Sequence, residues 1–267
     1  MRGGDLYADA GQARAGEVAI TPADYLRAGL HSFKMRVART LSLIDKAMQR
    51  GKIGISYSGG KDSTVLLDLV RHAAQDAPAA FFDSGCELHQ TYEMVKHYGV
   101  EVIKPKTGLL EMCRYGGYWG YDNPTNPDAE FNFGKVLIDE PAQRFAGEHD
   151  LAVQAIGLRA EESDTRKINA AQRGELYFVE CTGLWHLCPL QWWTADDVWA
   201  YIASRDLRYN GAYDVMTQIG LPREQQRIST LLGSAAARTG RYAILKCIDP
   251  GLWNRLAAEF PKVRAYV

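Results

Sequence analysis

The fold is decided by one turn of the chain, which reads Tyr57-Ser58-Gly59-Gly60-Lys61-Asp62-Ser63. An apolar run at residues 53–56 precedes this turn, and a helical pattern at residues 64–70 follows it. Glycines let the backbone approach an anion closely, and the free N–H groups at a helix N-terminus point towards that anion. Lys61 adds a positive charge, and Ser58 and Ser63 add hydroxyl donors. The strand, the turn and the helix start therefore predict a cradle for phosphate.

Strand-like and helix-like patterns alternate from residue 52 onward. The strand-like runs lie at residues 53–57, 79–82, 100–103 and 152–156, and the helical patterns lie at 64–76, 88–98, 107–114 and about 135–149. This alternation predicts an α/β fold whose mostly parallel sheet is covered by helices on both faces. Ligands of such sheets bind beyond the carboxyl ends of the strands. The turn at 57–63, Asp83-Ser84-Gly85 and Gly157-Leu158-Arg159 all follow predicted strands, so we expect them to form a single nucleotide site.

The rest of the chain is predicted to be flexible or helical. We expect four parts, which are a flexible N-terminus at residues 1–20, a helical lead at 21–51, the main domain at 52–215 and a helical C-terminal extension at 216–267. The lead contains either one helix over 22–50 or two helices broken near Gly29. Further helical patterns lie at 194–204, 222–237 and 250–259. The segment 115–132, rich in Gly, Tyr, Asn and Pro, is either a functional lid or a disordered insertion.

The composition is that of an ordinary globular protein, with 46% hydrophobic and 24% charged residues among 267. An apolar signal core and a stretch of membrane-spanning length are both lacking, which predicts a cytoplasmic protein without a membrane partner. The net charge of −1 argues against a globally basic nucleic-acid binder but leaves room for a local basic surface. Five cysteines without a C-x-x-C pair indicate neither a disulfide framework nor a zinc knuckle.

The motifs of the chain resemble those of a known family. Two adjacent glycines before Lys-Asp-Ser do not match a Walker A loop, and the turn resembles instead the PP-loop of the ATP pyrophosphatases. The other matching segments follow in order at residues 81–93, 157–166, 189–202 and 209–214. Together they resemble the PAPS reductase-like branch of the PP-loop superfamily over residues 52–215. The resemblance implies a fold of the adenine nucleotide α-hydrolase type, with a parallel five-stranded sheet between helices.

The resemblance also implies an activity and a set of site residues. We expect Mg²⁺-dependent splitting of ATP into AMP and pyrophosphate, which activates an acceptor by adenylation for sulfur incorporation. Lys61, Arg159 and Arg166 are the predicted catalytic residues, because a lysine and arginine forks suit phosphate oxygens. The predicted nucleotide-binding residues are Ser58, Gly59, Gly60, Lys61, Asp62, Ser63, Asp83, Ser84 and Gly157.

Several of these assignments have structural alternatives. Asp62 either helps to order Mg²⁺ or is an acid that the helix dipole favours in a first turn. The segment Asp83-Ser84-Gly85 is equally typical of a simple turn. Arg166 has a possible ion-pair partner in Glu162, four residues earlier on a helix.

The sulfur chemistry is the least determined part of the prediction. PAPS reductases have a Glu-Cys-Gly-Leu-His tail and other members have clustered cysteines, whereas this chain ends at residues 263–267 without either feature. We therefore expect no iron–sulfur cluster and place PAPS reduction second. The first choice, which rests on the resemblance to a subgroup found in DNA phosphorothioation operons, is DNA phosphorothioation, with a cysteine desulfurase as sulfur donor, DNA or a DNA-acting protein as partner, and possible homo-oligomers. Cys86, near the predicted site, is a candidate for handling sulfur, although buried free cysteines are common.

Three other functions stay open at this point. The first is a subunit of a sulfate adenylyltransferase, which would use the same cavity for a small oxyanion. The second is a thiol-dependent reductase of the PAPS or APS type. The third is a non-catalytic regulator that binds the nucleotide and releases no pyrophosphate.

Overall fold

A six-stranded sheet forms the centre of the protein. The structure is a computed structural model that describes residues 18–228 and 241–267. The strands are β1 (Ile53–Tyr57), β2 (Ala79–Phe82), β3 (Glu101–Ile103), β4 (Val153–Ile156), β5 (Leu176–Val179) and β6 (Leu184–Leu187). Their order is β3-β2-β1-β4-β6-β5, and each neighbouring pair is parallel except the antiparallel pair β5 and β6. The α/β class is thus confirmed.

Helices cover both faces of this sheet. They are α1 (Pro22–Gly29), α2 (His31–Met48), α3 (Lys61–Ala73), α4 (His89–His97), α5 (Leu109–Tyr115), α6 (Glu140–Glu148), α7 (Asp164–Arg173), α8 (Ala195–Arg205), α9 (Ala212–Gln218), α10 (Arg241–Ile248) and α11 (Pro250–Glu259). Short 3-10 segments lie at Tyr118–Gly120, Ala160–Glu162, Arg223–Gln225 and Pro261–Tyr266, and a π-helical turn at Lys135–Asp139 leads into α6. The central strands are buried on both sides, as expected for parallel strands between helical layers.

The four predicted strands agree with the structure to within one residue at either end. The sheet nevertheless has six strands rather than five, because β5 adds an antiparallel edge strand to the five parallel ones. Strands β5 and β6 are four residues each and mostly half-buried, so the sequence shows no clear apolar alternation there. Helices α7 and α9 were also not predicted, whereas α10 lies in the C-terminal extension that was predicted to be helical.

The helical lead is two helices rather than one. The break falls at Leu30, whose backbone is extended, immediately after Gly29. Thr21 and Asp24 form a capping box at the start of α1, which explains why the helix begins at Pro22. The predicted helix at 222–237 is a 3-10 turn at Arg223–Gln225, and its remainder from 229 lies outside the described residues.

The N-terminal segment that we expected to be flexible lies mostly outside the described residues, which begin at 18. Ala19 is buried, and its N–H donates to Asp214 at 2.8 Å. Arg223 donates two hydrogen bonds to Asp24 and one to the carbonyl of Ala19. These contacts join the start of the described chain to the segments that follow α8.

The sheet register places three predicted site segments side by side. Ser56 lies opposite Ala80 on β2 and Ile156 on β4, so β1, β2 and β4 end together at the same edge. The loop at 58–60, the turn at 83–85 and the segment at 157–159 leave the sheet from this edge. None of the helices in the described residues combines the length and hydropathy of a membrane span.

Candidate functional site

A cavity of about 860 Å³ opens at the carboxyl edge of the sheet. The phosphate loop (residues 58–63) borders it through five of its six residues, with the segments after β2 and β4 beside it. Other walls come from β5, β6 and the C-terminal helices α10 and α11. The sequence-predicted residues on the cavity are Ser58, Gly60, Lys61, Asp62, Ser63, Ser84, Cys86, Gly157 and Arg166.

The phosphate loop is shaped by its glycines and serines. Gly59 has a φ of +73°, and a Cβ atom on it would lie 2.7 Å from Thr91 Cγ2, so no larger residue fits. The Ser58 hydroxyl donates to Ser63 Oγ at 3.1 Å, and the Ser63 hydroxyl donates to the Gly60 carbonyl at 3.0 Å. These two bonds tie the loop to the first turn of α3, which begins at Lys61.

Asn210 and Tyr213 hold the loop in place through hydrogen bonds. Asn210 Nδ2 donates to the carbonyl of Gly59 at 3.3 Å and to Thr91 Oγ1 at 3.3 Å. The Lys61 N–H donates to the Tyr213 hydroxyl at 3.1 Å. Both supporting residues are buried and come from the segment 209–214, which the sequence analysis used only as a family landmark. The segment reads Tyr-Asn-Gly-Ala-Tyr-Asp, and nothing in that composition distinguishes residues that support the loop from those of an ordinary turn.

Lys61, Asp62 and Arg159 form a buried charge cluster. The Lys61 ammonium is 1% exposed and lies 3.0 Å from Asp62 Oδ2 and 3.3 Å from the Gln226 carbonyl. Arg159 Nε lies 2.5 Å from Asp62 Oδ1. Burial lowers the pKa of Lys61, although the Asp62 carboxylate partly offsets this. Burial alone would raise the pKa of Asp62, but the two cations outweigh it and hold that pKa below its usual value.

Arg159 does not reach the cavity. It is buried, and its guanidinium is shared between the carboxylates of Asp62 and Glu161. The oxygen of Glu161 that contacts Arg159 also accepts the N–H of Ala195 at 2.7 Å. Arg159 therefore stands behind Asp62 rather than facing a ligand directly.

Three other arginines do line the cavity, Arg166, Arg173 and Arg227. Arg166 pairs with the Glu162 carboxylate, as the helical spacing predicted, and Arg227 donates to the Glu162 carbonyl at 2.5 Å. Burial lowers the pKa of both guanidinium groups, and the repulsion between Arg166 and Arg227 lowers the pKa of Arg166 further. Arg227 is not among the predicted site residues, since a single arginine in a mixed-charge segment gives no distinctive signal.

The turn after β2 has a mixed role. Asp83 accepts from the Gly85 N–H at 2.9 Å and from the Tyr92 hydroxyl at 2.7 Å, so its carboxylate fixes the turn and does not line the cavity. Ser84 does line the cavity, and its hydroxyl donates to Glu87 Oε1 at 2.6 Å. The structure thus separates two residues that the sequence analysis treated together.

Gly157 lies against the phosphate loop. A Cβ atom on it would lie 3.2 Å from the Ser63 backbone nitrogen and 3.3 Å from the Asp62 carbonyl carbon. Such contacts are tighter than ordinary van der Waals packing. The glycine therefore lets the segment after β4 approach the start of α3.

Cys86 borders the cavity but is only 2% exposed. Burial raises the pKa of its thiol to about 12, and the neighbouring Glu87 adds to the shift. A thiolate is the reactive form of cysteine. Helix α4 begins only at His89, after Cys86, and burial is the main cause of the raised pKa.

The long segment at 115–132 packs on the C-terminal helices. Trp119 makes edge contacts with Phe260, at 5.5 Å between ring centroids, and with Tyr242, at 6.2 Å. The residues that follow it, Phe133 and Leu137 among them, line the cavity. The wall of the site is thus formed by residues 133–139, which follow the segment. In the described residues, no group of three or more His, Cys, Asp or Glu side chains is placed to hold a metal ion.

Comparison with known proteins identifies relatives of the chain. Adenosine 5′-phosphosulfate reductase 2 of Bacillus subtilis is 31% identical over 176 residues, which are 61% of this chain and 67% of that protein. An uncharacterised protein of Methanocaldococcus jannaschii is 28% identical over 239 residues, covering 87% of this chain and 54% of that protein. The chain thus spans between about half and two thirds of the length of these relatives.

A solved structure and a family model complete the comparison. The phosphate complex of phosphoadenylyl-sulfate (PAPS) reductase from Candida auris has a TM-score of 0.49 at 21% identity, covering 73% of this chain and 92% of that chain. The model of the phosphoadenosine phosphosulfate reductase domain matches residues 52–220, which is more than half of the chain. The motifs at 57–63 and 157–166 fall within this match. The chain therefore belongs to the phosphoadenosine phosphosulfate reductase domain family.

Proposed function

We propose that this chain is an enzyme that binds an adenine nucleotide and breaks the anhydride bond at its 5′ side. One observation carries the proposal: Lys61, Arg166 and Arg227 line the same cavity as the phosphate loop. Burial lowers the pKa of both arginines, and repulsion lowers it further, from Arg227 at Arg166 and from Arg159 at Arg227, so an anion beside them would relieve an unfavourable arrangement. Phosphate and sulfate groups are the anions that arginine forks and a helix N-terminus bind well.

In this proposal the loop and the arginines bind different parts of the substrate. The phosphate loop holds the departing anion, and Arg166 and Arg227 hold the oxygens of the group under attack. Arg159 is a positioning residue, because it fixes Asp62, which in turn fixes Lys61. Gly157 allows the loop to sit close to the end of β4.

Mg²⁺, implied by the resemblance, does not fit Asp62 as a direct ligand in this arrangement. Both carboxylate oxygens of Asp62 are engaged, one by Lys61 and one by Arg159. Mg²⁺ commonly binds through substrate phosphates together with one or two carboxylates. The interpretation of Asp62 as a first-turn acid that orients two cations is therefore the better supported one.

The first candidate reaction is the reduction of a sulfonucleotide of the adenosine 5′-phosphosulfate class. It is supported by the family and by the Bacillus subtilis relative, which is an adenosine 5′-phosphosulfate reductase. A thiolate would attack the sulfur, AMP would leave, and a second thiol would release sulfite while the two sulfurs form a disulfide. Both electrons come from the thiols, so the reaction needs an accessible thiol on the chain or an added one.

The second candidate is the splitting of ATP into AMP and pyrophosphate, with transfer of the adenylyl group to an acceptor. One observation favours it: among the described residues, Cys86 is the only cysteine on the cavity, and its pKa of about 12 keeps it a thiol. Sulfur would then come from a partner such as a cysteine desulfurase. A DNA phosphate is the acceptor that we propose for this candidate.

A product assay separates the two candidates. The purified chain is incubated with ATP and Mg²⁺, and separately with adenosine 5′-phosphosulfate and dithiothreitol, and the products are resolved by chromatography. Sulfite with AMP supports the first candidate, and pyrophosphate with AMP supports the second. Binding of either nucleotide without turnover indicates a regulator. Failure to bind either nucleotide would overturn the proposal.

A pair of variants tests the observation that carries the proposal. Arg227→Gln removes a cation from the cavity, whereas Arg205→Gln removes an exposed arginine that pairs with Asp68 on another side of the chain. We expect the first variant to weaken nucleotide binding about tenfold to a hundredfold, the range for a lost charged hydrogen bond. Arg205→Gln should bind like the parent chain. If both variants bound the nucleotide equally well, Arg227 would not be part of the nucleotide site.

A further inference from the structure

Glu87 is a half-buried acid that the proposed reactions do not use. It lies between β2 and α4 and lines the same cavity as the phosphate loop. Its Oε1 atom accepts a hydrogen bond from the Ser84 hydroxyl at 2.6 Å. Since β1 and β2 are neighbouring strands, Glu87 and the loop leave the sheet side by side. A ligand whose anion sits on the loop can therefore extend towards Glu87.

The walls around Glu87 are apolar. Phe81, Leu88, Leu109 and Leu252 line the cavity together with it. The N–H of Leu109 donates to the carbonyl of Ser84 at 2.9 Å, which fixes this wall relative to the turn. Flat apolar walls with one polar group at a defined point suit an aromatic ring with polar atoms on one edge.

The charge of Glu87 is sensitive to pH near neutrality. The pKa of its carboxyl group is raised to about 7, mainly by burial; the Ser84 hydroxyl opposes the shift and the Asp83 carboxylate adds to it. The other charged or titratable groups near this position are Tyr92 on α4, the neighbouring Cys86, Cys113 on α5, and Arg255 and Glu259 on α11. In the protonated form one oxygen of Glu87 donates a hydrogen bond while the other accepts.

We propose that Glu87 selects the base of the bound nucleotide, with its acid form donating from Oε2 to adenine N1 and accepting at Oε1 from the adenine N6 amino group. This inference rests on the proposed function, which supplies the adenine nucleotide. Ser84 fixes the assignment of the two oxygens, because its hydroxyl donates to Oε1 and leaves the proton to Oε2. A buried carboxyl group kept neutral as a hydrogen-bond donor is an established device in enzyme sites.

The inference makes base selection depend on pH. Adenine offers an acceptor at N1 and a donor at N6, whereas hypoxanthine offers a donor at N1 and an acceptor at O6. The acid form of Glu87 therefore matches adenine in this register, and the carboxylate does not. Loss of the proton leaves Oε2 and adenine N1 as two acceptors that face each other, so adenine binding weakens as the pH rises above about 7.

The experiment compares ATP with ITP, which share the triphosphate and its titration. Affinities are measured by calorimetry on the full chain between pH 6 and pH 8.5. We expect the preference for ATP over ITP to fall about tenfold between pH 6 and pH 8, as one linked proton requires. A preference that stays constant over this range, or no preference, would overturn the inference.

Two variants show that the effect belongs to Glu87. Glu87→Gln keeps a donor and an acceptor at the same place, so it should prefer ATP at every pH and lose the pH dependence. Glu87→Leu should lose the preference altogether, and its melting temperature shows whether it folds. If Glu87→Gln retained the parental pH dependence, another group would be responsible and the inference would fail. If the parent chain bound none of ATP, ITP and adenosine 5′-phosphosulfate at any pH, the proposed function itself would fail.

Discussion

Tyr213 and Lys61 are joined twice beneath the phosphate loop. The Tyr213 hydroxyl accepts the backbone N–H of Lys61 at 3.1 Å, and the Lys61 ammonium lies 5.3 Å from the centre of the Tyr213 ring. The tyrosine thus fixes the backbone of Lys61 at the start of α3, and its ring also contacts the positive charge of the Lys61 side chain. The position of the loop depends on a residue that lies about 150 positions later in the chain.

Tyr213→Phe tests this support. The ring stays, but the buried N–H of Lys61 loses its acceptor, which costs about 1–3 kcal/mol in the free energy of unfolding. Urea unfolding measures the loss, and calorimetry with ATP should show weaker binding. Tyr201→Phe is the matched control, because it removes a hydrogen bond to Asp68 that does not involve the loop. A control that weakened ATP binding as much as Tyr213→Phe would contradict a specific role for Tyr213.

Lys61→Met tests the charge on the loop. The methionine keeps most of the buried volume and removes the ammonium that we expect to stabilise the departing anion. Turnover should fall by about two to three orders of magnitude, as for the loss of other electrostatic contacts in active sites. Lys106→Met, at a side chain that is 81% exposed, should leave turnover unchanged. Full activity of Lys61→Met would refute the assignment of the loop as the anion site.

Gly157→Ala tests the close contact between β4 and the loop. The added Cβ atom would press on Ser63 and Asp62, so either the loop or the end of β4 must move. We expect a destabilisation of about 1–3 kcal/mol, typical of overpacking, together with weaker nucleotide binding. The measurements are urea unfolding and nucleotide calorimetry.

Gly147→Ala is the control for this change. Gly147 lies within α6 with open space around its Cα, so alanine there should leave stability unchanged or raise it by up to about 1 kcal/mol. If the two alanine variants had the same stability and the same nucleotide affinity, the close contact at Gly157 would not matter for the site.

The sequence allowed the central strands and the loop to be predicted, because both depend on local patterns. β1, β2 and β4 are short apolar runs, each followed directly by Ser, Asp or Gly. The loop has two glycines between a strand and a helix. Strand β5 could not be predicted in the same way. It is a half-buried edge strand that is stabilised by pairing with β6, and it has no apolar pattern of its own.

The site residues were harder to predict, because their environment depends on contacts between distant segments. An arginine in a phosphate-binding motif suggests a ligand contact, yet Arg159 is held by the carboxylates of Asp62 and Glu161. Arg227 reaches the cavity from a segment with no motif of its own. The pKa of Cys86 is likewise set by burial, which the adjacent sequence does not reveal.

Asp24→Asn tests how the N-terminal helix is attached and how that attachment depends on pH. Arg223 donates to both carboxylate oxygens of Asp24, at 2.9 Å and 2.6 Å. Burial alone would raise the pKa of Asp24, but Arg223 and Thr21 hold it below the usual 3.8. The folded state thus favours the carboxylate. Its stabilising effect is complete above the unfolded pKa and is lost as the pH falls through the lower folded pKa.

At pH 7 we expect Asp24→Asn to be less stable than the parent chain by about 2–3 kcal/mol, the scale of hydrogen bonds between charged groups. Below about pH 4 this difference should shrink, because the parent chain then loses its own carboxylate. Urea unfolding of both chains at several pH values measures the difference, and Asp76→Asn, at an exposed position, serves as control. A stability difference that stayed constant down to pH 2 would show that the Asp24 carboxylate contributes through packing rather than through its charge.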